Sequence, residues 1–84
     1  MQKPTIHLNG TGRDSLIEQQ CNAARSLRAA LEALGEAAPN ARDYYPQGGD
    51  AYPAARAEHE SRVSRVRAVL EEVEALAEEI ADAT

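Results

Sequence analysis

The stretch from Ala51 to Ala81, AYPAARAEHESRVSRVRAVLEEVEALAEEIA, decides the fold. Its apolar residues recur at alternating steps of three and four, the spacing that places side chains along one face of an α-helix. Asp50 can cap this helix, and Pro53 falls in the first turn, where its missing N–H costs nothing. The stretch predicts a long helix over residues 51–81. Its apolar seam consists of His59, Val63, Val66, Leu70, Val73, Ala77 and Ile80, flanked by Val69 and Leu76.

The first half of the chain carries a second helical pattern, which predicts a helix over residues 12–38. Thr11-Gly12-Arg13-Asp14 has the form of a capping box at its start, and either Gly35 or Pro39 can end it. Its seam consists of Ile17, Gln20, Ala24, Leu27, Leu31, Leu34 and Ala38, widened on one side by Leu16, Ala23, Ala30 and Ala37. Polar seam residues such as Gln20 and His59 commonly fix register or oligomeric state.

Two further segments complete a single domain over residues 1–84. Residues 39–50 hold two prolines, two glycines and two tyrosines, which predicts a turn or ordered loop between the helices. Residues 1–10 form an N-terminal arm, expected to lie extended across a neighbouring surface with Ile6 and Leu8 inward. The fold class is therefore all-α: an antiparallel helical hairpin with coiled-coil-like packing and a short extended N-terminal segment.

The composition predicts assembly into an oligomeric bundle. The chain has no Trp or Phe and much alanine, so a lone hairpin of 84 residues buries little apolar area. Cys21 is the only cysteine, which excludes an internal disulfide and fits a reducing cytoplasm. The net charge of −5 disfavours direct nucleic-acid binding, and no apolar run is long enough for a membrane span. We expect a homo-oligomer that needs no cofactor and no metal.

The loop end of the hairpin is the first candidate site. Arg42, Tyr44 and Tyr45 converge there with Arg56 and His59 of the second helix, and every aromatic residue of the chain lies in this region. Guanidinium groups bind phosphate and tyrosines stack on flat rings, so a nucleotide-like ligand suits the cluster. In the alternative interpretation the tyrosines only plug the open end of the hairpin, and Arg42 pairs with a neighbouring aspartate.

Two other segments carry weaker signals. The backbone N–H groups of Asn9, Gly10 and Thr11 can form an anion-binding nest, although a plain turn and helix cap also explain them. In an oligomer this nest can meet a neighbour's loop. The second helix is acidic from Glu71 to Asp82, with no basic residue there, which indicates a solvated face or a docking surface. No catalytic pairing of Cys21 with a histidine is suggested, so an enzyme is not expected.

The opening His7-Leu8-Asn9-Gly10-Thr11 and the loop from Ala38 to Gly48, APNARDYYPQG, resemble a group of short proteins encoded in tailed-phage genomes. The resemblance spans about Ile6 to Ile80 and implies a protein made in infected bacterial cytoplasm. It further implies an accessory, anti-defence role, such as an oligomeric sponge that sequesters a nucleotide-derived immune signal. The competing hypotheses are an acidic protein-binding module or inhibitor of a host protein, and a structural phage component.

Overall fold

The structure, a computed structural model, describes residues 1–83 and confirms the two-helix architecture. Helix α1 spans Arg13–Glu36 and helix α2 spans Ala51–Asp82, with short 3-10 turns at Ala41–Asp43 and Tyr45–Gln47 between them. The two long helices pack against each other as a helical hairpin. Within residues 1–83 there is no strand. No helix among these residues is long and apolar enough to cross a membrane.

Helix α1 begins without the expected capping box. Its N-cap is Gly12, and no side chain bonds to the first-turn N–H groups. The first helical hydrogen bond runs from the Leu16 N–H to the Gly12 carbonyl at 3.0 Å. The helix therefore starts one residue too late for Thr11 to act as its cap. Asp14 lies in the first turn instead, where its charge favours the positive end of the helix dipole.

The helices end and restart around Pro39. Gly35 lies inside α1, and the Ala37 N–H donates to the carbonyls of Ala33 and Leu34 as the helix closes. Ala38 lies outside the helix because the proline after it disfavours helical backbone at that position. Asp50 occupies the N-cap of α2, but its side chain makes no capping bond.

The core between the helices is thin. Ala24, Leu70 and Ile80 are the buried apolar residues, and most other seam side chains, including Gln20 and His59, are only half-buried. The hairpin measures 62 × 20 × 17 Å, with a Cα radius of gyration of 18.6 Å. A compact chain of this length has a radius of gyration of about 12 Å. The seam is therefore long and narrow rather than enclosed.

The N-terminal arm does not bury its apolar residues within the chain. Leu8 is 98% exposed and Ile6 is 36% exposed, so neither points into the hairpin as the alternating pattern suggested. Met1 lies against the outer side of α2 beside Ala68 and Ala75. At the base of the arm, the Arg13 guanidinium donates to the carbonyl of Ala83 and links the start of α1 to the end of α2.

Candidate functional site

The turn between the helices is held in shape by its own backbone. The Asn40 side chain accepts a hydrogen bond from the Arg42 N–H at 3.0 Å and caps the first 3-10 turn. The Gln47 N–H then bonds to the Tyr44 carbonyl at 2.9 Å, and Gly48 follows at a φ of +115°. Because few residues other than glycine adopt that backbone, Gly48 sets the direction in which the chain enters α2. The turn is an ordered segment that presents its side chains in fixed positions.

The tyrosines of this end divide into two groups. The rings of Tyr44 and Tyr52 have centroids 6.4 Å apart at 47°, and both side chains are half-buried. This tilted aromatic pair closes the end of the hairpin, as the plug interpretation expected. Tyr45 is 76% exposed and takes no part in the plug. One tyrosine of the cluster is therefore free to contact a ligand or a protein.

The basic residues near the turn are not gathered around one point. Arg56 Nε lies 3.0 Å from Glu60 Oε1 on the same face of α2, and both side chains are well exposed. Arg42 is exposed. Within residues 1–83 its side chain forms no ion pair with a neighbouring aspartate, which is the partner that the plug interpretation expected. His59 is half-buried and borders an open groove with Val63 on α2. Arg42 and Tyr45 are thus the cluster members that remain accessible and uncommitted.

The Asn9-Gly10-Thr11 segment lies at the other end of the hairpin. The Gly10 N–H donates to the His7 carbonyl at 3.1 Å and forms a tight turn. A Cβ at Gly10 would lie 2.6 Å from His7 Nε2, so the imidazole packs directly over this glycine. Since α1 has 24 residues, about 36 Å of helix separates this turn from the tyrosines. A single chain does not bring the two candidate segments together.

The structure has an open groove on the outer side of α2, which the apolar seam patterns of the sequence did not predict. Ala68, Ala75 and Met1 form its apolar floor, and the exposed carboxylates of Glu71 and Glu72 flank it. The sequence showed an acidic run here, but only the folded arm shows that Met1 adds apolar surface beside it. The groove combines apolar contact area with negative charge, which suits a basic amphipathic segment.

Arg13 is another residue whose structural role the sequence patterns did not predict. Its side chain is half-buried, and its Nε is a buried nitrogen without a hydrogen-bond partner among residues 1–83. A basic residue at the start of α1 lies beside the last carbonyls of an antiparallel α2, where it is favoured by the negative end of that helix dipole. The same antiparallel geometry, read from the sequence, is the signal that could have indicated this contact.

Comparison with known proteins adds no further candidate residue. The sequence matches no protein-family model, and no similar chain is found among curated proteins or solved structures. Within residues 1–83 there is no cluster of three or more metal-ligating side chains, and the single thiol of Cys21 is exposed.

Proposed function

We propose that this protein is a non-catalytic, helical protein-binding module that recognises a basic, amphipathic partner segment through the outer side of α2. The acidic groove beside Met1 is the observation that carries the proposal. Its floor offers methyl and thioether surface, while Glu71 and Glu72 supply charge that complements lysine or arginine. An inhibitor that covers a basic surface of another protein would use these features.

The rest of α2 supports the same interpretation. The exposed carboxylates of Glu71, Glu72 and Glu78 lie on a half-helix that has no basic residue of its own. Such a surface raises the association rate of positively charged partners. The half-helix toward the turn carries four arginines, partly offset by Glu58 and Glu60, and its net positive charge would repel the same partner. The charge division therefore also fixes where along α2 the partner docks.

Calorimetric titration with a synthetic lysine–leucine amphipathic helical peptide tests this proposal. The double substitution Glu71→Lys/Glu72→Lys should weaken binding about tenfold or more, because it reverses the charge beside the apolar floor. The matched control is Glu32→Lys/Glu36→Lys, which makes the same charge change on the exposed face of α1. An equal loss in both variants would show that only net charge matters and would contradict a defined docking site.

A second candidate function is sequestration of a nucleotide-derived signal in a pocket between protomers of an oligomer. The free ring of Tyr45, beside an Arg42 side chain without an ion pair in residues 1–83, favours it. In this proposal Tyr45 or Tyr44 stacks on the base, Arg42, Arg56 or His59 holds phosphate, and a neighbour's Asn9, Gly10 and Thr11 close the pocket. The protein would then serve as an anti-defence sponge in the cytoplasm of a phage-infected bacterium.

Thermal-shift and calorimetric screening against cyclic nucleotides and ADP-ribose derivatives tests this second function. Tyr45→Ala should abolish any stabilisation by the ligand, because the stacking surface is lost. Gln47→Ala is the control, since it shortens an exposed side chain of the same turn and leaves the ring. The absence of a shift with every nucleotide would exclude the sponge function.

A further inference from the structure

The two flanks of the helical seam differ in chemistry. Arg28 lies about 70° from the centre of the α1 seam on one flank, and Ala23 and Ala30 lie about 70° away on the other. Arg28 Nη2 contacts Glu74 Oε2 of α2 at 3.1 Å, so equivalent flanks of the two antiparallel helices meet on the same side. Val69 of α2 must therefore share the opposite side with the alanines. One side of the hairpin is polar, and the other is apolar.

The apolar side, which we name the open face, has no partner among residues 1–83. The open face consists of Leu16, Ala23, Ala30 and Ala37 of α1 with Val69 and Leu76 of α2. Its three alanines are exposed, and Val69 is 45% exposed, although both helices otherwise turn their large apolar residues toward the seam. Met1 does not cover this side, because Ala68 and Ala75 lie on the back of α2. Small side chains let a second pair of helices approach closely.

The surface area of the chain fits a partner of similar size. The hairpin exposes 6221 Å², whereas a compact monomer of this mass exposes about 4,900 Å². A standard protein–protein interface buries about 800 Å² from each partner. The excess surface is thus large enough for one such interface, and a flat, two-helix open face matches another copy of itself in area and shape.

The charge pattern of α2 fixes the orientation of that second copy. Arg62 and Arg65 flank the open face toward the turn, whereas Glu72 and Glu79 flank it toward the arm. A two-fold axis crossing the helices near Val69 places each arginine half of α2 against the acidic half of α2 in the second copy. An axis parallel to the helices would instead gather both acidic halves at one end. We propose that two copies pair antiparallel through the open face, giving a four-helix bundle.

This pairing has a consequence for the candidate site. Because the copies run in opposite directions, the turn of each chain lies level with the start of α1 in the other. Gly10 and Thr11 of the second copy then lie at the same level along the bundle as Tyr45 and Arg42, segments that a single chain keeps at opposite ends. The inference extends the oligomer of the second candidate function by naming its interface, and it holds whether or not a nucleotide binds there.

Sedimentation equilibrium of the full chain, combined with cysteine cross-linking, tests the pairing. In a Cys21→Ser background, Val69→Cys should form an intermolecular disulfide on mild oxidation, because the residue lies at the two-fold axis. Ser64→Cys in the same background is the control, since its exposed side chain lies away from the open face. Val69→Glu should raise the dimer dissociation constant about tenfold or more, because it places two carboxylates at the axis.

Each result decides the inference separately from the proposed functions. A chain that stays monomeric at millimolar concentration, or a dimer in which Ser64→Cys cross-links as readily as Val69→Cys, would overturn it. A dimer that survives Val69→Glu unchanged, with helicity intact by circular dichroism, would overturn it too. Val69 does not line the groove beside Met1, so the amphipathic-peptide titration can fail while the dimer forms, and the reverse.

Discussion

The two ends of the hairpin bury their seams to different depths. The fully buried residues, Ala24, Leu70 and Ile80, all lie at the middle of the hairpin or toward the arm. Toward the turn, the seam residues Val63 and Leu34 are only half-buried. The most deeply buried side chain, Ile80, thus lies at the arm end, while the turn end carries the accessible tyrosine and arginine. The most deeply buried side chain and the accessible candidate binding residues therefore lie at opposite ends of the hairpin.

Within α2 the difference follows side-chain size, whereas in α1 the leucines Leu27, Leu31 and Leu34 lie toward the turn. The arm half of α2 contributes Leu70, Leu76 and Ile80 to the interior or its border, whereas the turn half contributes valines and His59. Larger aliphatic side chains bury more area and hold the helices more firmly. Local opening should accordingly begin at the turn and spread toward the arm.

The largest expected effect is on the arm end. Ile80→Ala should lower the free energy of unfolding by about 2–5 kcal/mol, since it removes a side chain that is 2% exposed. Val63→Ala at the half-buried turn end should cost about 1 kcal/mol. Urea denaturation followed by circular dichroism at one fixed protein concentration gives both values. A larger loss for Val63→Ala would reverse the assignment of the stable end.

The next effect concerns the turn backbone. Gly48→Ala should destabilise the protein by about 1–3 kcal/mol, because a φ of +115° is strained for any residue with a Cβ. Gly49→Ala is the matched control, because the neighbouring glycine has no positive φ and open space around its Cβ position. Its stability should change by less than about 0.5 kcal/mol. Equal effects of the two substitutions would show that the turn tolerates another backbone path.

Most of the fold could be predicted from the sequence because helical periodicity is a local signal. The seam residues Leu70 and Ile80 and the position of Pro53 in the first turn of α2 follow directly from spacing and proline chemistry. The capping-box prediction was wrong because the N-cap is Gly12 and not Thr11, and sequence spacing alone does not fix which of the two residues begins the helix. Only the observed hydrogen bond from Leu16 distinguishes the two.

The candidate site was less predictable, since it depends on which way individual side chains turn. Composition placed the tyrosines together, but it could not show that Tyr44 pairs with Tyr52 while Tyr45 points outward. Likewise, composition could not show that Arg56 forms an ion pair with Glu60, one turn along its own helix. The groove beside Met1 depends on the path of the arm, and the short alternating stretch around Ile6 and Leu8 did not predict that path.

A smaller effect is expected inside α1, near the turn end. Gly35→Ala should raise the free energy of unfolding by about 0.5–1 kcal/mol, because glycine is a poor helix former and its Cβ position is open. Ala29→Gly, at an exposed position of the same helix, should lower it by a similar amount. Thermal and urea unfolding measure both. A destabilising Gly35→Ala would mean that the end of α1 requires glycine for a reason other than space.

The smallest effect belongs to the ion pair that joins the helices near their middle. Arg28 and Glu74 are 56% and 46% exposed, so water and salt screen their attraction. A double-mutant cycle with Arg28→Ala and Glu74→Ala should give a coupling free energy of about 0.2–1 kcal/mol that decreases in high salt. A coupling of about 2 kcal/mol or more would mean that the polar side holds the hairpin as firmly as Ile80 does. Buried area would then no longer explain why the arm end is the stable one.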